Sequence, residues 1–407
     1  MTTAVDWSRW VTFADKKLAE RYSRSRMPMT TLVEAYVDGR LDIHDIDAFL
    51  DARHGLVSFD LTRHHVRFLV TRMLPEVLLH TRAQDARVVR GHYDRGDDFF
   101  LSFLGETMIY TSAYFADESE PLEDAQRRKL ARVCAKLDLR PGDEVLDIGC
   151  GWGTLALYAA ERHGVRATGV TLAERGASHG NRRIEAAGLG DRARIACLDY
   201  RCLPDHVYDR IVSLEMVEHV GVRHLAEYFA VVRDHLRDDG LFLLQWCGLR
   251  RGGAGGVAPI GLRPEDMIWG LFMNEHIFSG ADASLPLSAM TRAMETAGFE
   301  IQSVENWSPH YVLTIRRWHE RWERHRSHIC RAYGESWYRL WRLFLAWSWR
   351  IGAQGASVCY QVVAHKNLDS FPRAALFGPG AGARPAAAVT AIDASLTDHA
   401  ASDVTAA

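Results

Sequence analysis

Nine residues constrain the fold of this chain more than any others: Val145 to Gly153, reading VLDIGCGWG. Val145, Leu146, Asp147 and Ile148 read as a strand buried in a parallel sheet. Glycines follow at alternating positions (Gly149, Gly151, Gly153), and a helical pattern, TLALYAAERHG, begins directly after them. Strand, glycine turn and helix make the nucleotide-binding βα unit of a doubly wound sheet. Glycine lets a ligand approach the backbone where a Cβ would block it. The helix start then aims its unbonded N–H groups at that ligand. A GxGxG run alone is a weak signal. The strand before it, the helix after it and Asp147 inside it fit S-adenosylmethionine (SAM) better than a dinucleotide, whose fingerprint is GxGxxG. A tight turn with no ligand is the plain alternative.

A length of 407 residues can bury a large core and suggests two or three domains. A net charge of −3 removes the global basic field expected of a nucleic-acid binder, so no nucleic-acid partner is expected. The seven cysteines (Cys134, Cys150, Cys197, Cys202, Cys247, Cys330, Cys359) contain no CxxC pair. They read as reduced thiols of a cytoplasmic enzyme, not as a disulfide framework or a zinc site. TTAVDWSRW after Met1 lacks the apolar core of a signal peptide, and no long apolar run predicts a membrane span. A lipid substrate would be reached from the water side.

Residues 1–88 are predicted to be an N-terminal helical region, with Pro75 at a helix break. There Trp7 and Trp10, beside Arg9, Lys16 and Lys17, either pack as core or lie on a lipid surface. Residues 91–115 are dense in aromatics: Tyr93, Phe99, Phe100, Phe103, Tyr110, Tyr114 and Phe115. These make either core or a π-rich cover for a sulfonium cofactor and a carbocation. From about 120 to 365 strand and helix alternate. Strands are predicted at 145–148, 165–172, 193–200, 208–216 and 240–247, in an α/β doubly wound, Rossmann-like sheet. Ligands bind at the carboxyl ends of such strands. Those ends carry Gly149–Gly153, Thr171–Leu172, Asp199–Tyr200, Glu215–His219 and Gln245–Gly248. Residues 251–290 read as an inserted helical lid. Its Trp269, Phe272, Met273, Ile277 and Phe278 suit either a cover for an acyl chain or packing on the sheet. The Arg- and Trp-rich stretch 314–350 is either stacked core or a face for phospholipid headgroups. The Ala/Gly/Pro-rich tail, 369–407, is expected to be disordered.

These pieces together resemble the cyclopropane fatty acid synthase family of SAM-dependent methyltransferases over about 90–367. The likeness rests on HYDRGDDFF (92–100), YTSAYF (110–115), VLDIGCGWG, GVTL (169–172), YDRIVSLEMVEHVG (208–221), NEHIFSGADASLP (274–286) and PHYVLTIRRW (309–318). Within the family the chain is most similar to the fungal sphingolipid C9-methyltransferases. It shares with them MIYTS, EHVGVRH, DMIWGLFMN (266–274), FSGADAS and QGASVCYQ (354–361). The resemblance implies a SAM-dependent methyltransferase domain at 89–368 working peripherally at a membrane surface on an unsaturated phospholipid or other lipid, and it allows a homodimer. Those fungal enzymes resemble anchored proteins, and this chain is expected to lack that anchor.

The family's reaction adds the methyl of SAM to a cis double bond. The carbocation formed then loses a proton. Loss from the new methyl closes a cyclopropane; loss from a chain carbon leaves a methyl-branched alkene. The cyclopropane synthases resemble one another in holding bicarbonate as the base, and its positions match Ser112, Gln245, Glu218 and Tyr311 here. Two of the four differ from the family pattern, Ser112 and Gln245, which still offer a hydroxyl and an amide for an anion. That change favours methyl branching over ring closure. Around SAM, the resemblance sets Asp147 and Gly149, Gly151 and Gly153 in the cofactor loop. Tyr110 and Thr111 fall at the methionine end, Thr171 and Leu172 at the ribose, and Asp199 and Tyr200 at the adenine. Gly176 stands where the family has a ribose-binding Gln. The residues themselves give a similar cast. Glu218, at a strand end near the donor, reads as a general base or its holder, or as a carboxylate favoured at a helix start. Tyr311 meets an anion or a cation, or is core. Cyclopropanation is the second reading. Small-molecule N-methylation, as in plant coclaurine-type enzymes, and a non-catalytic SAM- or lipid-binding protein rank below it.

Overall fold

A computed structural model describes residues 5–73, 95–250, 261–278 and 285–373. In chain order the elements begin with β1 (Val11–Phe13), α1 (Lys16–Tyr22), β2 (Met27–Pro28), α2 (Met29–Val37), β3 (Leu41–Ile43), α3 (Ile46–Leu56), β4 (Val57–Ser58) and α4 (Arg63–Phe68). Next come α5 (Asp97–Leu104), α6 (Leu122–Lys136), β5 (Glu144–Ile148), α7 (Thr154–His163), β6 (Arg166–Thr171), α8 (Glu174–Ala186), β7 (Ala193–Cys197) and β8 (Tyr208–Leu214). Then follow α9 (Leu225–His235), β9 (Leu236–Leu249), α10 (Pro264–His276), α11 (Leu287–Thr296) and β10 (Phe299–Asn306). The last are α12 (Ser308–Arg324), α13 (Arg326–Tyr333), α14 (Glu335–Ala353) and β11 (Ser357–Lys366). Two units emerge. One gathers residues up to Met108 with Cys247–Pro286 and Ser308–Cys359; the other gathers Ile109–Trp246, Leu287–Trp307 and the chain from Tyr360.

The second unit is the α/β unit. Its seven strands run in the order β10-β11-β9-β8-β5-β6-β7. Strand β5 pairs in parallel with β6 and with β8, and β6–β7 and β8–β9 are parallel too. A strand with neighbours on both sides and helices on both faces has no wet side, which explains why Val145, Leu146, Asp147 and Ile148 are all buried. The chain leaves β5 for β6 on one side, while β8 lies on the other. That reversal opens a crevice at the carboxyl end of β5. All five predicted strands form. The periodicity reading does not include the antiparallel pair β10–β11 at one end of the sheet, where Phe299 faces Lys366 and Asn306 faces Tyr360. Residues 369–373, the first of the expected tail, are placed against the sheet. Phe371 stacks on His365 with centroids 3.5 Å apart, and Arg373 pairs with Glu300. Residues beyond 373 lie outside the described chain.

The first unit is mostly helical, with a difference at its start. The sequence predicts a helical region over residues 1–88, yet within it β1 pairs antiparallel with β3, and β2 pairs parallel with β4. Strands of two or three residues are too short to show a period against the helices around them. The glycine at Gly39, with φ +73°, is the turn that separates α2 from β3. Trp7 is buried and donates its indole N–H to the Ser25 carbonyl at 3.0 Å, so it is core and not a lipid-facing residue. Pro75 and residues 251–260 of the expected lid lie outside the described residues. The Arg- and Trp-rich stretch also resolves to core: Trp318, Trp322, Trp341 and Trp347 are all buried. Phe99 and Phe103 of α5 join them, with Phe99 4.9 Å from Trp341 and Phe103 5.9 Å from Trp318 between centroids. The arginines serve that core. Arg350 pairs with Asp47 and Asp51 and lies 3.9 Å from the Trp349 ring. Helix α10 of the expected lid buries Ile268, Trp269, Leu271 and Phe272 inside this unit.

Candidate active site

The crevice of the second unit starts at the glycine turn. Gly149, Gly151 and Gly153 all adopt positive φ, at +80°, +55° and +73°. They do different work. A Cβ at Gly149 would lie 2.4 Å from Met216 Cγ, and one at Gly153 would lie 2.7 Å from Ile195 Cδ1. A Cβ at Gly151 meets nothing within 4 Å. Gly149 and Gly153 are therefore packing glycines, and Gly151 opens a cradle at the sheet edge. Helix α8 presses on the turn from beside it. A Cβ at Gly176 would sit 2.7 Å from the Gly151 carbonyl oxygen, and one at Gly180 would sit 2.8 Å from the Trp152 oxygen. The missing Gln at Gly176 thus has a physical reason: no side chain fits between this helix and this loop.

Asp147 lies beneath the turn. Burial pushes its carboxyl up to about 7, against the pull of the Lys129 charge. Lys129, on α6, donates to the Thr111 hydroxyl at 2.8 Å, and Gln126 donates to the Thr111 carbonyl at 3.1 Å. Both bonds pin the Tyr110–Thr111 loop to α6. At the end of β6, the Thr171 hydroxyl accepts the Ala173 N–H at 3.2 Å, at the start of α8, with Leu172 half-buried beside it. At the end of β7, Asp199 accepts from the Arg201 N–H and guanidinium at 2.6–2.9 Å, and Tyr200 meets Tyr228 edge-on at 5.4 Å. The strand ends expected to line a SAM site thus converge on one crevice. Open space over Gly151, a buried acid beneath it and polar groups at the ends of β6 and β7 fit that cofactor.

Beyond β8 the arrangement departs from expectation. Glu215 takes φ +54°, and its N–H bonds the Gln245 carbonyl at 2.8 Å. Its Oε1 accepts the Ser112 backbone N–H at 2.9 Å and the Gln245 side-chain amide at 2.6 Å. Ser112 and Gln245 do come together, as predicted, but the carboxylate between them is Glu215. The Ser112 hydroxyl, expected to face an anion, donates to the Ala113 carbonyl at 3.0 Å. A free bicarbonate does not fit these donors, since a side chain already occupies them. Glu218 follows on the short turn Val217–His219 and is half-buried. Tyr311 belongs to the first unit, on α12, with its ring edge-on to Trp318 at 6.1 Å.

The chain continues behind Gln245. The Gln361 amide donates to Gln245 Oε1 at 2.9 Å, and Lys136 Nζ donates to Gln361 Oε1. Glu305 holds Lys136 at 2.5 Å and accepts the Trp307 indole N–H at 2.8 Å. Glu215, Gln361 and Lys136 are the residues that motif reading passed over. Glu215 sits in the same EMVE run as Glu218, three residues earlier, and only its position at the strand end marked it.

Comparison with known proteins gives the family and the fold. A family model described as mycolic acid cyclopropane synthetase matches residues 80–362. A sphingolipid C9-methyltransferase of Komagataella phaffii is 43% identical over 90% of this chain and 76% of its own length. Sphingolipid C9-methyltransferase 2 of Gibberella zeae is 44% identical over 88% of this chain and 69% of its own. Among solved structures, the mycolic acid cyclopropane synthase CmaA1 in complex with SAH and CTAB superposes with a TM-score of 0.64. It is 26% identical, over 69% of this chain and 98% of that one. The cyclopropane synthase MmaA2 of Mycobacterium tuberculosis gives 0.63 at 27% identity, over 69% and 98%.

Proposed function

Because the chain belongs to the mycolic acid cyclopropane synthetase family and is a SAM-dependent C-methyltransferase of lipids, we propose that it methylates a double bond in an unsaturated lipid chain, a sphingoid chain first, and leaves a methyl-branched alkene. The Gly149–Gly153 turn would seat SAM, whose sulfonium would supply an electrophilic methyl group with a neutral thioether as leaving group. Asp147, Tyr110 and Thr111 hold its methionine end, Thr171 and Leu172 its ribose, and Asp199 and Tyr200 its adenine. Ser112 and Gln245 act through the carboxylate they hold. Glu218 adds a second carboxylate at the same strand end.

One observation carries the reading. A carboxylate, Glu215, is fixed at the end of β8, next in sequence to Met216, whose side chain packs on Gly149 of the turn. A cation formed beside a fixed carboxylate is set to lose a proton. The branched product is favoured by likeness to the C9-methyltransferases. Membrane contact is peripheral in this reading. Among the described residues no helix is long and apolar enough to cross a membrane. Leu61, Val66 and Val70 are 48%, 54% and 59% exposed, in a stretch that also exposes Arg63, Arg67 and Arg72.

Mass spectrometry of lipids from cells expressing the chain tests this. The expected result is a gain of about 14 mass units per modified chain, the addition of one methylene. Catalytic hydrogenation then separates the products, because a retained alkene takes up hydrogen and a cyclopropane survives mild conditions. A methylated amine with unchanged lipids sinks the lipid reading. Glu218→Gln is expected to lose turnover while SAM still binds, and loss of SAM binding in that variant assigns Glu218 a different role.

A further inference from the structure

We propose that Glu215 is the reaction's own proton acceptor, in place of a bound bicarbonate, and that Lys136 sets its orientation through Gln361 and Gln245. The proposal rests on the lipid C-methylation reading above.

Hydrogen-bond polarity carries the argument. An ammonium group only donates. Lys136 therefore turns Gln361 Oε1 toward itself, which leaves the Gln361 NH2 to face Gln245 Oε1 at 2.9 Å. That in turn leaves the Gln245 NH2 to face Glu215 Oε1 at 2.6 Å. Reversing either amide would set donor against donor and acceptor against acceptor at buried positions, since Gln245 and Gln361 are 0% and 1% exposed. A charge at the end of α6 thus fixes a donor at the crevice, two amides away. The Ser112 N–H supplies the second donor to the same oxygen at 2.9 Å. Glu215 also holds φ +54°, a left-handed conformation that side chains other than glycine rarely adopt. Its N–H bond to the Gln245 carbonyl and the two bonds to its carboxylate hold it there.

This is a polar group placed for use. Once the methyl has joined one alkene carbon, the other carries the positive charge. The Glu215 carboxylate takes a proton from the chain carbon next to that charge. The C–H electron pair becomes the new C=C bond, and the neutral Glu215 carboxyl then gives the proton to water. Charge and atoms balance with no further co-reactant. The donors a bicarbonate would use, the Gln245 amide and the Ser112 segment, are taken by a side chain of the protein.

The test is turnover of the full-length enzyme on a lipid it methylates, in carbon-dioxide-free buffer with and without added bicarbonate. Wild-type rates are expected to agree within about twofold. Glu215→Gln and Glu215→Gly are expected to lose on the order of a hundredfold or more in kcat. Their binding of S-adenosylhomocysteine by calorimetry should stay near the wild-type value, which shows that they fold. Added formate or bicarbonate should restore part of the rate to Glu215→Gly, which leaves room for an anion, and none to Glu215→Gln. Gln361→Glu removes the donor to Gln245. It is expected to lower kcat with KM little changed and to shift the pH profile of kcat, which a merely structural residue would not do. A wild-type enzyme that needs bicarbonate overturns the proposal while leaving lipid methylation standing. So does a Glu215→Gln variant that keeps its turnover. A wild type that methylates no lipid fails the substrate reading itself, and the proposal with it.

Discussion

Asp147 is a carboxylic acid inside a parallel sheet, and its titration is the clearest consequence at the scale of single residues. Burial raises it to about 7 from an ordinary value of 3.8, despite Lys129. The folded protein then holds a proton that the unfolded chain releases, so stability falls as pH rises from about 4 to 7 and levels off above. The shift, about three pKa units, corresponds to a loss on the order of 4 kcal/mol. Asp147→Asn is expected to flatten that slope, read from urea midpoints at pH 5 and pH 8. SAM is a cation, so its affinity should be greater at pH 8 than at pH 6 in the wild type and nearly pH-independent in Asp147→Asn. Calorimetric titration measures both. Gly176 makes the second prediction. Gly176→Gln, which restores the family's side chain, drives a Cβ against the Gly151 oxygen. It should cost about 1–3 kcal/mol and weaken SAM binding instead of improving it, as melting and titration would show. Asp147 and the glycine turn were legible because residue type and spacing mark them; that Gly149 and Gly153 pack on Met216 and Ile195 while Gly151 stays open was not, because it depends on β7 and β8. Glu215 was not, because a glutamate at a strand end looks the same whether or not two donors meet it.

At the scale of elements, the first unit shows how buried charge joins helices distant in sequence. Arg53 on α3 and Glu265 on α10 pair at 2.5 Å with side chains 8% and 5% exposed. Trp347 of α14 donates its indole N–H to Glu265 at 2.9 Å, and Gln354 donates to it at 3.3 Å. Burial alone would raise the Glu265 carboxyl; the Arg53 and Trp347 bonds outweigh it and hold the group low. Such a depressed acid stabilises above its unfolded pKa and loses that contribution as pH falls through the folded one. Arg53→Ala strands the carboxylate and is expected to cost about 3–5 kcal/mol in a denaturant titration at pH 7. The Arg- and Trp-rich composition of α12 and α14 was legible, but not the faces those residues take. Alternating Arg and Trp suits a lipid interface and a stacked core equally well, and only the contacts of Phe99 and Phe103 with Trp318 and Trp341 separate the two.

For the whole molecule, the question is how an enzyme with no spanning helix among its described residues meets a lipid. The exposed Val66 and Val70 beside Arg63 and Arg67 make the surface prediction. The protein should sediment with anionic phospholipid vesicles at low salt and much less with neutral ones, and Val66→Glu with Val70→Glu should weaken that binding severalfold. Unchanged sedimentation in the double variant would remove this face from membrane contact. The sequence by itself determined the doubly wound sheet, because a period of two or 3.6, a glycine turn and a buried strand are local patterns that a short window contains. It also determined the cofactor and the family, because VLDIGCGWG and YDRIVSLEMVEHVG carry their chemistry in order along the chain. Only the tertiary structure decided which carboxylate the crevice holds. Ser112, Glu215, Gln245, Gln361 and Lys136 come from five separate segments, and the polarity of hydrogen bonds between them exists only once those segments have met.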